Sequence, residues 1–440
     1  MEHDLLAGLC GYIDSSPTAW QAVESSRLLL DAAGAKPLDE RSPWRLEPGL
    51  QYYVIRNGSA LVAFRAGLRP PAEEGFAIAG AHSDSPALKI RIGKQLSGRG
   101  MDRVAVEPYG SPIVSTWFDR PLGLAGRLVV KEGSGDAVRL FRSKGPMAVI
   151  PNLAIHLNRE LNKGFEYNFQ GHLPALFASR GAGVTGAAEL DNPAFLKLVA
   201  HEAGVEPDAI VASDLFLVEP GPALAIGDDL INGPRLDNLL GCHAVLEAFL
   251  ASSPRAHGQF AFLFDSEEIG SRTRMGGDSA FLRDMLGRVA TLQGTGTEGF
   301  YRALAGSFLV SVDVAQAWHP GWPEKFDEAF TPLLNGGPAI KANAGFRYAT
   351  DATTEARFRS LCEGADLPCQ TYMSRADSAP GSTIGPLSSA LTGIATVDVG
   401  SPLLSMHSIR ETAGTRDLLP MVQALRAQLD SSPALPPSRQ

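Results

Sequence analysis

Acidic and imidazole side chains recur directly after short apolar runs in this sequence. His82 follows one such run, Asp313 follows another, and Glu267 and Glu268 stand side by side just beyond a third. Asp237 opens an apolar segment with helical spacing. Sites in open α/β sheets form beyond the carboxyl ends of strands, so these residues are candidates for one shared site. Imidazole and carboxylate groups bind zinc-like ions and transfer protons, which favours metal-assisted hydrolysis.

Two imidazoles and three carboxylates suit a pair of divalent ions. Zinc takes N and O ligands at ~2.0–2.2 Å and keeps one position open for water in catalytic sites. We assign His82, Asp237 and Asp313 to one ion. We assign Asp237, Glu268 and His407 to the other ion, with Asp237 bridging the two. Zinc is the expected metal, and Mn²⁺ or Co²⁺ also suits a carboxylate-rich position.

The adjacent glutamates raise a question of charge and direction. A metal ion that binds Glu268 would offset the repulsion between them. Consecutive strand residues point to opposite faces, so Glu267 must leave strand geometry to face the same site. There Glu267 would act as the base that takes a proton from water. Asp84 would accept the other ring N–H of His82 and orient the imidazole.

Each of these residues also has a structural explanation when it is considered alone. A His-x-Asp triplet is commonly a loop hydrogen bond, and adjacent glutamates commonly form a solvated face. Asp237 alone would serve as a helix N-cap, which aspartate favours. Asp313 alone would end a strand in a turn. Their joint placement favours the metal interpretation, although the spacing does not establish that they meet in space.

The elements that must position these residues alternate between strand and helix patterns. Strands are predicted over 259–265 and 307–314, and helices over 236–251, 278–286 and 352–364. This alternation predicts an α/β sheet that carries helices on both faces.

A β-rich stretch with frequent glycines, which includes a predicted strand over 113–118, interrupts this alternation after Ile90. We therefore predict a catalytic domain in two parts, 1–91 and 226–440. The residues between them, 92–225, are predicted to form an inserted β-rich domain.

Bulk composition narrows the class of protein. The chain has 440 residues, enough for two or three domains, and a net charge of -9, which argues against a nucleic-acid partner.

No apolar run approaches the ~18 residues that span a bilayer. The N-terminus lacks the basic and apolar regions of a secretory signal, so we expect a cytoplasmic protein that binds no membrane. The four cysteines show no metal or disulfide spacing.

Long stretches of the chain resemble the aspartyl aminopeptidase family of dinuclear zinc metallopeptidases. The matching segments run nearly end to end and are 16–18, 81–86, 107–110, 117–120, 124–127, 150–157, 235–238, 265–271, 337–343, 347–350, 383–386 and 400–411. The resemblance implies a phosphorylase/hydrolase-like mixed-sheet three-layer catalytic domain and an inserted β-rich dimerisation domain. It also implies peptide substrates, two zinc ions per subunit and assembly of dimers into a tetrahedral homododecamer.

The resemblance carries over to the site residues one by one. It implies the same five metal ligands, the same base and the same orienting aspartate as the residue types do. It adds His156, His319, Lys341 and Tyr348 as groups that line the substrate site. His156 would reach a neighbouring subunit's site, and Lys341 would pair with an acidic P1 side chain or the substrate backbone. Considered alone, each of these four is typical of a structural residue.

Some positions depart from the family pattern. Gln316 stands where a second histidine often precedes the His-Pro pair, and Trp20-Gln21 stands where Phe-His is usual. These departures concern the substrate pocket and leave the five ligands unchanged. The resemblance also implies a cis peptide between Asp237 and Asn238, as in related sites.

We predict a metalloaminopeptidase that hydrolyses the N-terminal residue, Asp or Glu, from peptides. Metal-activated water would be the nucleophile and a glutamate the general base. Two alternatives stay open at this point. One is a metal-dependent deacylase that releases acyl groups from amino acids, and the other is a non-catalytic shell or cargo protein that uses only its assembly surface.

Overall fold

The computed structural model describes residues 2–180 and 193–435. Its strands, in chain order, are β1 (Lys36–Leu38), β2 (Gln51–Arg56), β3 (Ala60–Arg65), β4 (Phe76–His82), β5 (Ala87–Gly98), β6 (Met101–Tyr109), β7 (Gly123–Glu132), β8 (Gly135–Arg142), β9 (Ala175–Ser179), β10 (Ile210–Val218), β11 (Leu224–Ile226), β12 (Leu230–Gly233), β13 (Gly258–Phe264), β14 (Phe308–Val312), β15 (Ala315–Gln316), β16 (Ala339–Lys341), β17 (Gln370–Tyr372), β18 (Ala395–Gly400), β19 (Pro402–Leu404) and β20 (Glu411–Gly414). Its helices are α1 (Glu2–Ser15), α2 (Ala19–Ala32), α3 (Pro71–Glu74), α4 (Phe169–His172), α5 (Pro193–Ala203), α6 (Leu236–Ala251), α7 (Phe281–Leu292), α8 (Thr297–Ala305), α9 (Ala352–Gly364), α10 (Ile384–Thr392) and α11 (Leu418–Asp430).

The described residues divide into two compact units. The first unit is built from the described parts of 1–84, 223–406 and 411–440, and the second from those of 85–222 and 407–410. The long segment of the second unit spans 85–222, whereas the predicted insert spans 92–225. The dimerisation role of the insert stays a prediction.

The first unit is organised around a mixed sheet that brings three strand ends together. Within the described residues this sheet has nine strands in the order β1-β2-β3-β13-β4-β14-β18-β16-β17. β4 runs parallel to both of its neighbours, with Phe264 of β13 opposite His82 and Ser311 of β14 opposite Gly80. Because parallel strands end at the same edge, the residues that follow β4, β13 and β14 lie at one edge of the sheet.

Side chains of β13 alternate between two apolar layers. Phe260, Phe262 and Phe264 stack on one face, with successive ring centroids 6.1 and 5.3 Å apart, and pack with residues of α7 and α8. Ala261 and Leu263 face the other layer, which contains residues of α6 and α11. Burying each large apolar side chain contributes about 1.5–3 kcal/mol. The predicted mixed α/β fold, with helices on both faces of the sheet, is confirmed.

Two further sheets complete the described residues. The first unit contains a five-stranded sheet in the order β11-β12-β20-β19-β15. The second unit contains a six-stranded sheet in the order β8-β7-β10-β5-β6-β9, in which each neighbouring pair is antiparallel. No helix in the described ranges has the length and apolar character that crossing a membrane requires.

One predicted strand is wrong. The sequence pattern over 113–118 favours a strand, but Val114–Trp117 forms a 3₁₀ turn. The Thr116 hydroxyl donates a 2.7 Å hydrogen bond to the carbonyl oxygen of Ile113. Side-chain bonds of this kind offer the backbone an alternative to a strand ladder, which explains the turn.

A buried histidine on α6 makes the stability of the fold depend on pH. His243 is almost fully buried, and burial lowers its pKa to about 4. In the unfolded chain a histidine has a pKa near ~6.5, so as pH falls the unfolded state binds the proton first. The folded state therefore loses stability as the pH falls from about 6.5 to about 4.

Replacing His243 with glutamine should remove this dependence. Between pH 7 and pH 4, the free energy of unfolding of the metal-free protein should fall in both the variant and the wild type. The fall should be smaller in the variant by up to about 3 kcal/mol. Urea unfolding at several pH values measures the difference, with the exposed His201→Gln as control. Equal pH dependence in the wild type and the His243 variant would show that this residue does not control acid stability.

Candidate metal centre

His82 lies between two carboxylates at the carboxyl end of β4. Its Nε2 atom is 3.4 Å from Oδ1 of Asp237 and 3.4 Å from Oδ1 of Asp313, and all three residues are buried. Two ligands that bind one zinc ion at ~2.1 Å in tetrahedral geometry lie about 3.4 Å apart. The three side chains therefore have the chemistry and the spacing that a divalent ion needs.

The second nitrogen of His82 faces Asp84. Its Nδ1 atom is 3.1 Å from the carbonyl oxygen of Asp84 and 3.5 Å from its Oδ1 atom. The Asp84 carboxylate accepts the backbone N–H of Glu267 at 3.1 Å and that of Glu268 at 3.2 Å. Asp84 thus connects the imidazole to the turn that carries both glutamates.

The adjacent glutamates leave strand geometry at one residue. Ser266 adopts φ 67°, and Glu267–Ile269 then forms a 3₁₀ turn. This reversal allows both acids to face His82, and Oε2 of Glu267 lies 4.0 Å from its Nε2 atom. The change of backbone direction at Ser266 thus answers the question of direction raised by the sequence.

The electrostatics of the glutamates favour a bound cation. Burial raises the pKa of Glu267 to about 8, with a further contribution from nearby aspartates, although His82 opposes the shift. Burial and the Asp237 carboxylate also raise the pKa of Glu268 well above its ordinary value. A divalent ion among these groups would offset the repulsion and favour the ionised carboxylates, as bound cations do in other sites.

Asp237 is positioned by a network of buried polar contacts at the start of α6. Its backbone N–H donates to Oε2 of Glu411 at 2.9 Å, and its peptide bond to Asn238 is cis, as the resemblance implies. The Asn238 amide donates to the carbonyl oxygen of Val312 at 2.8 Å. A side chain at Gly241 would place its Cβ atom 2.2 Å from Oδ1 of Asn238, so any larger residue there would displace the Asn238 amide.

Asp313 is held by a buried lysine. The Nζ atom of Lys341 is 3.1 Å from Oδ2 of Asp313 and donates to the carbonyl oxygen of Val314 at 2.9 Å. Although burial opposes it, the Lys341 ammonium holds the pKa of Asp313 below its ordinary value. One oxygen of Asp313 therefore faces Lys341 while the other faces His82. Lys341 is 3% exposed, and its predicted contact with substrate stays a prediction.

Removing the lysine charge should destabilise the folded protein. The Lys341→Met variant leaves Asp313 buried without its cation, which costs about 3–5 kcal/mol in comparable cases. Urea unfolding of the metal-free protein should show a loss of this size, while the exposed control Lys325→Met should change little. Equal stability of the two variants would mean that the Lys341–Asp313 pair contributes nothing to folding.

Two other predicted substrate residues lie in the first unit. Tyr348 is buried, with its ring centroid 4.9 Å from Nζ of Lys341 and 6.1 Å from the ring of Tyr372. His319 is half-buried, with its ring 4.6 Å from that of Trp322. Tyr348 thus shares a cluster with the lysine of the centre, and the substrate roles of both residues stay predictions.

Two predicted site histidines belong to the second unit. His156 is exposed, and His407 has its Nδ1 atom 3.0 Å from the carbonyl oxygen of Ser111 in the same unit. Their roles as substrate contact and metal ligand stay predictions.

Sequence reasoning missed the support around the ligands. It gave no role to Glu411, which accepts the Asp237 N–H, or to Cys242, whose thiol donates to the His82 carbonyl oxygen at 2.9 Å. It also did not pair Lys341 with Asp313. No spacing signal marks these residues, because each contact joins distant parts of the chain.

Comparison with known proteins gives a consistent result across the whole chain. The family model described as "Aminopeptidase I zinc metalloprotease (M18)" matches residues 12–428. The "Probable M18 family aminopeptidase 2" of Stutzerimonas stutzeri (strain A1501) is 41% identical over 438 residues, covering 98% of this chain and 99% of the relative. The protein of the same description from Pseudomonas aeruginosa (strain UCBPP-PA14) is 40% identical over 434 residues, covering 98% of this chain and 99% of the relative.

Solved structures agree with the sequence matches. The chain resembles a chain of the structure described as "Cryo-EM structure of the Ape4 and Nbr1 complex". The TM-score is 0.93 and the sequence identity 33%, over 98% of this chain and 86% of that chain. It resembles one in "Structure of S. cerevesiae mApe1 dodecamer" with a TM-score of 0.82 and 27% identity, over 96% of each chain. The family predicted from the sequence is thereby confirmed, and this chain belongs to the M18 family of zinc metalloaminopeptidases.

Proposed function

We propose that this aminopeptidase removes a single N-terminal Asp or Glu from peptides, with two zinc ions per subunit and Glu267 as general base. The observation that carries the proposal is the meeting of His82, Asp237 and Asp313 at one sheet edge, with Glu267 4.0 Å from His82. This arrangement would combine a metal site with a nearby proton acceptor, as metal-assisted hydrolysis requires.

The proposed ligand sets follow the sequence assignment. His82, Asp237 and Asp313 would hold one ion, and Asp237, Glu268 and His407 the other. Bound zinc supplies Lewis acidity, which lowers the pKa of water toward ~7 and polarises the scissile carbonyl. The nitrogen and carboxylate ligands favour zinc, and Mn²⁺ or Co²⁺ is compatible with the carboxylate-rich second set.

The residues of the chain would direct the proton transfers. Glu267 would take a proton from the attacking water and return it to the leaving amine. Asp84 would hold Glu267 and His82 in place, since it contacts both residues. His319 or His156 would donate to the developing oxyanion.

An acidic P1 side chain needs a cationic partner. We propose that Lys341 pairs with this side chain or with the substrate backbone, and that Tyr348 lines the same site, as the family resemblance implies. Their position next to Asp313 supports a place beside the metal centre. The departures at Gln316 and Gln21 make the choice between acidic and neutral P1 residues a matter for direct assay.

A panel of aminoacyl substrates tests the proposal. Asp, Glu, Leu, Lys and Ala derivatives of one fluorogenic amine should be assayed with added Zn²⁺, Mn²⁺ and Co²⁺. We expect the amine to be released from the Asp or Glu derivative at least about tenfold faster than from the others. A neutral side chain cannot form the ion pair that a charged pocket makes with an acidic one. A preference for Leu or Ala would overturn the acidic specificity while leaving the aminopeptidase activity intact.

Blocking the substrate amine tests the reaction class. An N-acetylated Asp substrate should not be cleaved, since the proposed reaction needs a free α-amine near the ions. Release of the acyl group from N-acetyl-aspartate would instead favour the deacylase alternative.

We also propose assembly into a tetrahedral homododecamer built from dimers, in the cytoplasm. Support comes from the structural relative described as a dodecamer. The second unit, with its antiparallel sheet, would form the dimer contact. Light scattering of the purified chain should give a mass twelve times that of one 46.7 kDa chain, and a monomer mass would refute the assembly.

A further inference from the structure

Asp398 is a carboxylate buried inside the mixed sheet of the first unit. It lies on β18, is fully buried, and stands opposite Ser311 of β14 on one side and Lys341 of β16 on the other. Burying a carboxylate is costly unless hydrogen bonds or opposite charges compensate for the lost water. The proposed reaction assigns no role to this residue, although it stands opposite the lysine that holds Asp313.

Three groups donate hydrogen bonds to the Asp398 carboxylate. The hydroxyls of Ser311 and Thr383 donate to Oδ1 at 2.5 and 2.6 Å, and the backbone N–H of Ala349 donates to Oδ2 at 2.6 Å. The Asp398 backbone N–H in turn donates to the Thr350 hydroxyl at 3.0 Å. Asp398 therefore holds two successive residues, one with its carboxylate and the other with its main chain.

Ala349 and Thr350 directly follow Tyr348, which is proposed to line the substrate site. The Tyr348 ring centroid is 4.9 Å from Nζ of Lys341. Lys341 stands opposite Asp398 in an antiparallel strand pair, where opposite side chains share one face of the sheet. Asp398 is therefore linked to Tyr348 through the next two residues of the chain and to Lys341 across the strands.

A helix also packs closely against the Asp398 carboxylate. Gly385 lies in the first turn of α10, and a Cβ atom there would be 2.3 Å from Oδ2 of Asp398. The absence of a side chain at Gly385 permits this close approach. Binding sites need supporting residues whose own positions are fixed by packing and by hydrogen bonds, and Asp398 has both kinds of support.

We propose that Asp398 is a positioning residue for recognition of the substrate's first side chain. It holds residues 348–350 so that Tyr348 keeps one arrangement beside Lys341. This inference rests on the proposed substrate roles of Lys341 and Tyr348. Contacts with the P1 side chain lie away from the bond that breaks and are made both before and during the reaction. Their loss therefore raises KM and leaves kcat unchanged.

Thr350→Val weakens the support of Tyr348 without changing any charge. Valine keeps the branched shape of threonine but lacks the hydroxyl that accepts the Asp398 N–H. In the zinc-loaded full chain, KM for the fluorogenic Asp derivative should rise about tenfold, the scale of one lost hydrogen bond, with kcat unchanged. KM for the Ala derivative should not change, because alanine has no acidic side chain to position. The exposed Thr291→Val is the matched control and should change none of these constants.

Gly385→Ala disturbs the same carboxylate from another side, again without changing a charge. The added methyl group should displace the Asp398 carboxylate from the Ala349 N–H, so KM for the Asp derivative should again rise about tenfold. Gly364→Ala is the matched control, since a Cβ atom there would meet nothing within 4 Å. Zinc affinity, measured by competition with a chromophoric chelator, should equal that of the wild type in both variants.

Two results would overturn the proposal. One is a KM for the Asp derivative that stays at the wild-type value in every variant that circular dichroism shows to be folded. The other is a parallel change in kcat, zinc affinity and the KM of both substrates, since this pattern indicates a general structural defect. If Gly385→Ala does not fold, Thr350→Val alone decides between these outcomes.

Tyr348→Ala separates a failure of this inference from a failure of the proposed function. If it leaves the KM of the Asp derivative unchanged, the proposed substrate role of Tyr348 is wrong, and this inference is wrong with it. If that KM rises, the role stands and the double variant Tyr348→Ala/Thr350→Val decides. Its KM should equal that of Tyr348→Ala alone, because Thr350 acts through the missing ring. A further rise in KM would show that Asp398 does not act through Tyr348.

Discussion

Replacing Glu267 with glutamine is expected to lower kcat by about 10²–10⁴-fold while leaving the zinc content unchanged. Glutamine keeps the size and shape of the side chain but cannot accept the proton from water. The backbone N–H of residue 267 still donates to Asp84, so the turn should keep its geometry. Steady-state kinetics and metal analysis on the same preparation measure both quantities.

A matched control separates the base from general charge effects. Glu363 is exposed, and Glu363→Gln removes one negative charge by the same chemical change. Its kcat should stay within about twofold of the wild type, as is usual for surface substitutions. Full activity of Glu267→Gln would remove this residue from the role of general base, whatever the metals do.

The second large effect is expected for Asp237. In Asp237→Ala the proposed bridging carboxylate is lost, so zinc should bind more than about 100-fold more weakly. This loss of affinity is larger than the loss caused by replacing a residue that only supports a ligand. Activity at limiting zinc should fall in parallel. Competition with a chromophoric zinc chelator measures the affinity without any need for turnover.

Binding stoichiometry makes this experiment more informative. If Asp237 bridges two ions, the variant should lose both, whereas loss of a terminal ligand such as Asp313 should weaken one more than the other. Glu363→Ala serves as control, since it removes an exposed carboxylate. Zinc binding by Asp237→Ala at wild-type affinity would exclude the residue from the ligand set.

The sheet and its central strands could be predicted because their signals are local. The run of β13 alternates Phe260, Phe262 and Phe264 with smaller residues, and each set packs in its own layer. Parallel neighbours then place His82 and Asp313 at the same edge, since their strands end in register. Residue type and strand end together were enough to bring these two residues into one hypothesis.

The supporting contacts could not be predicted, because they depend on three-dimensional proximity alone. Glu411 lies 174 positions from Asp237, and Lys341 lies 28 from Asp313. A buried carboxylate or lysine has no periodicity that separates it from a solvated one. The return of residues 407–410 to the second unit was missed for the same reason.

Helix boundaries were harder to predict than helix existence. The sequence pattern predicts a helix over 278–286, but α7 runs over Phe281–Leu292. The Ser279 hydroxyl accepts the backbone N–H of Phe281 at 3.2 Å, and the chain before it turns instead of coiling. Local side-chain bonds of this kind set helix starts, and apolar spacing does not reveal them.

A single carboxylate, that of Asp84, receives the main-chain N–H groups of two successive glutamates. The proposed general base, Glu267, and the proposed metal ligand beside it, Glu268, are therefore both held by one side chain that lies two residues after β4. Any displacement of the turn carries both together, so their mutual spacing is preserved even if the turn shifts. One short side chain would thereby couple the positions of the proposed general base and the proposed metal ligand.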